Sequence, residues 1–254
     1  MLKSERQDAI QRLCEALGTV TVRQIAEELQ VSDMTVRRDL EEMSGQDRVV
    51  RVHGGARRVT GERGAAVPRE YTHREKRALH VEEKRAVAAR AAVLVEPGET
   101  VFLGAGTTME RLAQVLPAGR LRVVTNSLSV FDLLRDRPDT ELCLVGGIYR
   151  TATDAFVGPM AEKSLEPLGI DAAFIGCNGV VDGAVSTSNM EEGRFQNEVL
   201  ERSDRRYVVC DSSKVGRRDF YAFYSLADVD ALVTDRLLAA GEVEDLSAYT
   251  EVLN

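Results

Sequence analysis

The 254-residue chain has no tryptophan, only three histidines and four cysteines, and 5% aromatic residues. No apolar run approaches the roughly 18 residues that span a bilayer, and the first ten residues, MLKSERQDAI, place charges where a signal peptide needs an apolar stretch. A cytosolic protein without a membrane partner is expected. Cys14, Cys143, Cys177 and Cys210 are far apart and form no C-x-x-C pair; three lie in the apolar runs ELCLV, FIGCN and VVCDS, which suits buried, reduced thiols. His53, His73 and His80 show no H-x-x-x-H spacing, so neither a zinc site nor another metal or cofactor is expected. Basic residues are also in short supply, 33 against 41 acidic, a formal net charge of −8. Taken as one number this argues against a nucleic-acid binder, because duplex DNA repels an acidic surface. The charge is not uniform: residues 1–90 carry net +3 and residues 91–254 carry net −11.

What is present is globular: 44% hydrophobic and 29% charged residues, at a length worth about 1.7 domains of roughly 150 residues each. From Lys3 to Leu17 the apolar residues Ala9, Ile10, Leu13, Cys14 and Leu17 recur at helical spacing, and Gly18 closes the run. Thr21, with Gln24 three residues on, has the spacing of a capping box for a short second helix ending near Gln30. Ser32 can cap a third helix, DMTVRRDLEEM, which buries Val36, Leu40 and Met43 and leaves Thr35, Arg37 and Arg38 on another side. Two short helices, a tight turn and a third helix carrying Thr and Arg at its start make a helix-turn-helix. The segment RVVRVHGGARR then predicts a strand, a tight turn at Gly54-Gly55 and a basic return, a wing in which Arg48, Arg51, His53, Arg57 and Arg58 meet phosphates or a minor groove. Residues 1–60 hold equal numbers of acidic and basic residues, so charge alone leaves open a helical bundle whose arginines pair with Asp39, Glu41 and Glu42.

VSDMTVRRDL followed by RVHGGA resembles the winged helix-turn-helix of the DeoR family of bacterial regulators. The resemblance implies a DNA-binding domain over residues 1–58, with Ser32, Thr35, Arg37, Arg38, Arg51 and His53 as the DNA-binding residues.

Residues 59–80 are polar and charged, contain Gly61, Gly64 and Pro68, and show no apolar period; they are assigned to a linker. A helical pattern resumes at Val81, and after Pro97-Gly98 short apolar strands alternate with helical stretches to Asp235. This predicts an α/β domain over residues 81–254, a mostly parallel sheet with helices on both faces and a ligand at the carboxyl ends of its strands. Those ends are polar and glycine-rich: Gly104, Gly106, Thr107 and Thr108; Asn126 and Ser127; Gly146 and Gly147 with Arg150; Asn178; Thr187 and Glu191; Asp211 and Lys214. The first segment lacks the lysine of a Walker A loop and the third glycine of G-x-G-x-x-G, which disfavours nucleotides. Backbone amides, threonine hydroxyls and Lys214 or Arg150 would hold a phosphate, while Asn126, Asn178, Glu191 and Asp211 match sugar hydroxyls. The aromatic run at Phe220, Tyr221, Phe223 and Tyr224 reads as packing.

From Glu82 to Asp235 the chain resembles the DeoR-type sensor domain, whose fold is shared with ribose-phosphate isomerase and glucosamine-phosphate deaminase. Within the family, DAFVGP, GCNGV, STSNMEEG and DSSKVGRRDFYAFYSLADVDALVTD resemble repressors of lactose or tagatose phosphate catabolism. The resemblance implies a repressor of a carbohydrate catabolic operon, released from operator DNA by a phosphorylated sugar and acting as a homo-oligomer, a dimer or tetramer. The alternative is a sugar-phosphate isomerase or deaminase carrying a DNA-binding domain, with Glu191, Asp211 and Lys214 as acid-base groups; the absence of histidine after residue 80 speaks against it.

Overall fold

The computed structural model describes residues 3–17, 19–46, 48–52, 55–57 and 70–254. The chain divides into two compact units, residues 1–64 and 65–254. The first contains α1 (Lys3–Leu17), β1 (Thr19–Thr21), α2 (Val22–Leu29), α3 (Asp33–Gly45), β2 (Val50–Val52) and β3 (Gly55–Arg57). The capping box at α2 forms as the spacing predicts: Thr21 Oγ1 accepts from the Gln24 amide and Gln24 Oε1 accepts from the Thr21 amide. Gln30 then takes a left-handed conformation, φ 52°, and turns the chain into Ser32, whose hydroxyl accepts the Thr35 amide and caps α3. Ile10, Cys14, Ile25, Val36, Leu40 and Met43 form the core under the three helices. The wing carries a strand more than expected, because β1 pairs antiparallel with β3, which pairs with β2. Gly55 makes that third strand possible, since a Cβ there would stand 2.1 Å from the Val20 carbonyl oxygen.

The second unit opens with α4 (His73–Arg77) and α5 (Val81–Ala92), and continues through β4 (Thr100–Leu103), α6 (Thr107–Val115), β5 (Leu121–Thr125), α7 (Leu128–Leu134) and β6 (Thr140–Leu144). Next come the hairpin β7 (Ile148–Arg150) and β8 (Ala155–Val157), α8 (Pro159–Leu165), β9 (Ile170–Ile175), and β10 (Gly179–Val181) with β11 (Ala184–Thr187). The chain ends with α9 (Met190–Glu201), β12 (Ser203–Val209), β13 (Tyr221–Ser225), β14 (Ala231–Val233), α10 (Ala240–Ser247) and β15 (Glu251–Leu253). Seven strands form one sheet in the order β15-β14-β12-β9-β4-β5-β6, and every pair is parallel. Val87, Ala91, Met109, Leu112 and Val130 from α5, α6 and α7 pack on one face against Val101, Leu103, Val123 and Phe174. On the other face Leu165, Phe195, Val199 and Leu246 from α8, α9 and α10 meet Phe102, Val124, Ile175 and Val208, and the small sheet β10-β11-β13 closes that layer. Burial on both faces explains why these strands read as unbroken apolar runs. Phe223 joins this core while Phe220 is exposed. The four cysteines are thiols, Cys14 and Cys210 buried, Cys143 and Cys177 half-buried.

The assignment of residues 59–80 to a linker is corrected at its carboxyl end. Residues 70–80 are part of the second unit, and α4 is fixed by a Thr72–Glu75 capping box and by a bond from the His73 amide to the Ala152 carbonyl. A five-residue helix with no buried residue has no apolar period to reveal it; charged side chains hold it instead.

Because the first unit rests on so small a core, Leu40→Ala is expected to cost it about 2–5 kcal/mol and to unfold it while the second unit stays folded. Calorimetry should then show one transition shifted down and the other unmoved.

Candidate functional sites

In the first unit, Asp39 fixes the orientation of α3. Its carboxylate is 2% exposed and takes both prongs of the Arg6 guanidinium from α1, at 2.5 and 3.1 Å. With the back of α3 held this way, Met34, Arg37 and Arg38 are exposed on its outer side and Thr35 is half-buried, its hydroxyl 2.9 Å from that of Ser32. Of the remaining arginines that could face DNA, Arg48 is committed elsewhere: its guanidinium binds Gln11 and Asp8 of α1. This corrects its reading as a phosphate contact. Arg51 lies in β2 opposite Ala56, with its side chain outside the description, and His53 and Arg58 lie outside the described residues.

In the second unit, the parallel order brings the ends of β4, β5, β6, β9 and β12 to one edge of the sheet. The structure separates the expected site residues there by what they already bind. Gly104 is a packing glycine: its amide donates to the Phe174 carbonyl, and a Cβ would press on Ile175 at 3.2 Å. Gly106, at φ +126°, and Gly146 would each meet nothing within 4 Å, so their backbones border open space. Gly147 is crowded by the Val157 carbonyl. Thr107 and Thr108 are buried in the first turn of α6, where the amides and the helix dipole favour an anion. Ser127 is used as the cap of α7 through the Val130 amide. Asn126 is 4% exposed; its amide nitrogen donates to the Phe156 carbonyl, while its Oδ1 has no partner among the described residues. A buried acceptor without a donor suits a ligand hydroxyl.

Other expected contacts are filled. Asn178 accepts from Lys76 Nζ at 3.0 Å and donates to Asp219 at 2.9 Å. Asp211 is buried and accepts from the amide and hydroxyl of Ser213, bracing the turn that carries Lys214. Thr187 is buried at the end of β11. Arg150 is gripped by Glu70, at 2.7 and 2.5 Å, and by Glu192 at 3.2 Å. The choice of Glu191 is corrected: Glu191 is exposed, and its neighbour Glu192 turns inward onto Arg150 and the Thr153 hydroxyl. Asn189 caps α9 through the amides of both glutamates, which fixes the phase of the helix and so decides which one faces in. Burial holds the Glu192 carboxyl above the usual carboxylate range.

Two cationic side chains missed in the sequence, Lys84 and Lys76, join the expected Lys214. Lys84, on α5, is 5% exposed, and its ammonium donates to the carbonyls of Lys76 and Leu79. Burial, with Lys214, Lys76 and Arg111 nearby, pushes it down to about 8, against the pull of Asp211. Lys76 is likewise lowered, by burial first and by Lys214 among its neighbours. Lys76, Lys84 and Lys214 therefore form a cluster of like charge that an anion would relieve. The only sequence signal was a helical period that places Lys84 on the apolar side of α5, with Val87, Ala88 and Ala91. His73 enters the unit with α4, its Nε2 2.5 Å from a carboxylate oxygen of Glu110, which also holds Arg77.

A DNA-reading winged helix in one unit and a polar, cation-lined site at the strand ends of the other define a ligand-responsive transcriptional regulator. The DeoR-like helix-turn-helix domain matches residues 6–62 and the DeoR C terminal sensor domain matches residues 79–236. The chain belongs to the DeoR family. It is 40% identical to the lactose phosphotransferase system repressor of Streptococcus mutans over 100% of both chains. It is 37% identical to that of Lactococcus lactis subsp. lactis, over 100% of this chain and 99% of the relative. Among solved structures, it is similar to ribose 5 phosphate isomerase A from Neisseria gonorrhoeae, with 18% identity, TM-score 0.39 and 52% of each chain covered. No helix among the described residues is long and apolar enough to cross a membrane.

The depressed Lys84 ammonium gives a pH signature. In the free protein the group loses its proton near pH 8, whereas unfolded lysine keeps it to about 10.4, so this group favours the folded unit increasingly as pH rises through that window. A bound anion raises the ammonium again, so binding takes up a proton. Inorganic phosphate affinity is expected to fall above pH 8, by up to about tenfold per pH unit, and Lys84→Met is expected to flatten the profile. Calorimetry in buffers of differing ionisation enthalpy checks the proton uptake.

Proposed function

We propose that the protein represses transcription of a carbohydrate catabolic operon and is released from its operator by a phosphorylated sugar bound in the second unit. The full-length relatives named as lactose phosphotransferase system repressors support the repressor half. The effector half is carried by one observation: three lysines gathered at the strand ends, one of them 5% exposed and depressed to about 8. Phosphate belongs among Lys76, Lys84, Lys214, Arg150 and the first turn of α6, and a sugar hydroxyl at the buried acceptor of Asn126 that has no partner among the described residues. Arg38 and Arg37 meet DNA from α3, with Thr35 and Ser32 at its start and Arg51 and His53 on the wing. The effector binds the DNA-incompetent arrangement more tightly, a coupling typically worth 5- to 150-fold in affinity. Palindromic operators call for two-fold symmetry, so the active form is a dimer or tetramer.

Catalysis has no observation in its favour. Asp211, the strongest acid-base candidate, is spent on Ser213, and His73 faces Glu110. Turnover of ribose or glucosamine phosphates that vanishes in Asp211→Ala would reverse this reading.

Two measurements test the proposal. Arg38→Ala should weaken operator binding and lower the slope of log affinity against log salt by about one; an unchanged slope removes Arg38 from the phosphate contacts. A thermal-shift panel of hexose phosphates and their parent sugars should show stabilisation by phosphorylated members alone. Equal stabilisation by both sets contradicts the lysine cluster as a phosphate site.

A further inference from the structure

Arg150 was expected to face a ligand, and it already holds an anion supplied by the chain itself. The Glu70 carboxylate meets the guanidinium fork with both oxygens, at 2.7 and 2.5 Å, and also accepts from the Ser188 hydroxyl at 2.9 Å. Arg150 sits at the end of β7 and Ser188 directly after β11, both within segments that border the site. Lys76, bonded to Asn178, lies close enough to feel the charges of Glu70, Glu192 and Lys214 together.

We propose that Glu70 is a built-in competitor for the effector's phosphate: an anion that takes Arg150 displaces the Glu70 carboxylate and loosens the docking of residues 70–80 on the second unit, while Lys76 passes from Asn178 to the anion. The proposal rests on the reading of this site as an anion sensor. Carboxylate and phosphate use the same bidentate geometry on arginine, and a phosphate monoester carries more charge than a carboxylate at neutral pH. The exchange leaves no buried charge stranded. Arg150 stays positioned by Glu192, itself tied to Thr153, and the Glu70 side chain, 25% exposed while docked, passes to water. Glu70 tethers the segment that leads into α4. Further tethers are the Lys76–Asn178 bond, the pairing of His73 and Arg77 with Glu110, the backbone bond from His73 to Ala152 and the grip of Lys84 on the last turn. Two of these, Lys76 and Lys84, belong to the phosphate cluster. Ligand binding therefore acts on the docked segment from both ends, and that segment is covalently the continuation of the chain from the DNA-binding unit.

The test uses the full chain, with inorganic phosphate as probe at ionic strength fixed by sodium chloride. Saturating phosphate is expected to speed hydrogen exchange at the amides of Lys76, Ala78 and Leu79, which bond back to Thr72, Glu75 and Lys76. Glu70→Gln should show that faster exchange without phosphate and should bind phosphate about tenfold more tightly. Ser188→Ala, which removes one donor from the carboxylate and leaves Arg150 intact, should tighten binding about two- to threefold, and serves if Glu70→Gln folds poorly. Phosphate that binds yet leaves or slows exchange at those amides overturns the proposal while the sensor reading stands. Glu70→Gln binding no better than the unaltered chain also overturns it, including the case in which neither binds. Binding by Glu70→Gln alone supports it. The sensor reading is judged separately, by the sugar-phosphate panel.

Discussion

A sheet whose seven strands all run the same way delivers their carboxyl ends to one edge, and the candidate effector site depends on that constraint. Each strand end must turn into a loop or helix there, so small and polar residues gather whatever their individual tasks. The result is a mixture. Gly104, Gly147 and Ser127 maintain the scaffold, Asn178 and Asp211 brace neighbouring turns, Gly106 and Gly146 border open space, and the buried Asn126 Oδ1 has no donor among the described residues. What gives this edge a chemical preference is added from outside the sheet, by Lys76 of α4 and Lys84 of α5.

The same economy governs the DNA-binding unit. α3 buries Val36, Leu40 and Met43 in a small core, and the Arg6–Asp39 fork adds a directional restraint on its inner side. Two arginines that look alike in sequence thereby separate: Arg38 is exposed on the outer side of α3, and Arg48 is consumed in holding α1. The net charge of −8 is an average over two units with different tasks, with the acidity concentrated after residue 90.

Legibility in the sequence followed the length scale of the signal. The helices of the first unit were marked by caps at Thr21 and Ser32 and by an apolar period, and the alternation of strands and helices marked the parallel sheet. Three-residue strands such as β1 carry no period, so its pairing in the wing was not anticipated. Helix α4 was hidden for a related reason. It is docked by Glu70, His73, Lys76 and Arg77 through charge, and a run of charged residues without apolar spacing reads as linker. Between Glu191 and Glu192 composition offers no choice; the phase set by the Asn189 cap decides, and phase is a property of the folded helix.

If operator and sugar phosphate compete through one chain, linkage requires that each weaken the other's binding equally. The most direct measurement is the affinity of the full chain for DNA from upstream of its own gene, with and without a saturating hexose phosphate that stabilises the protein. It is paired with the affinity for that phosphate, with and without saturating DNA. Each ligand is expected to weaken the other by the same factor. A sugar phosphate that binds and leaves operator affinity unchanged would contradict it.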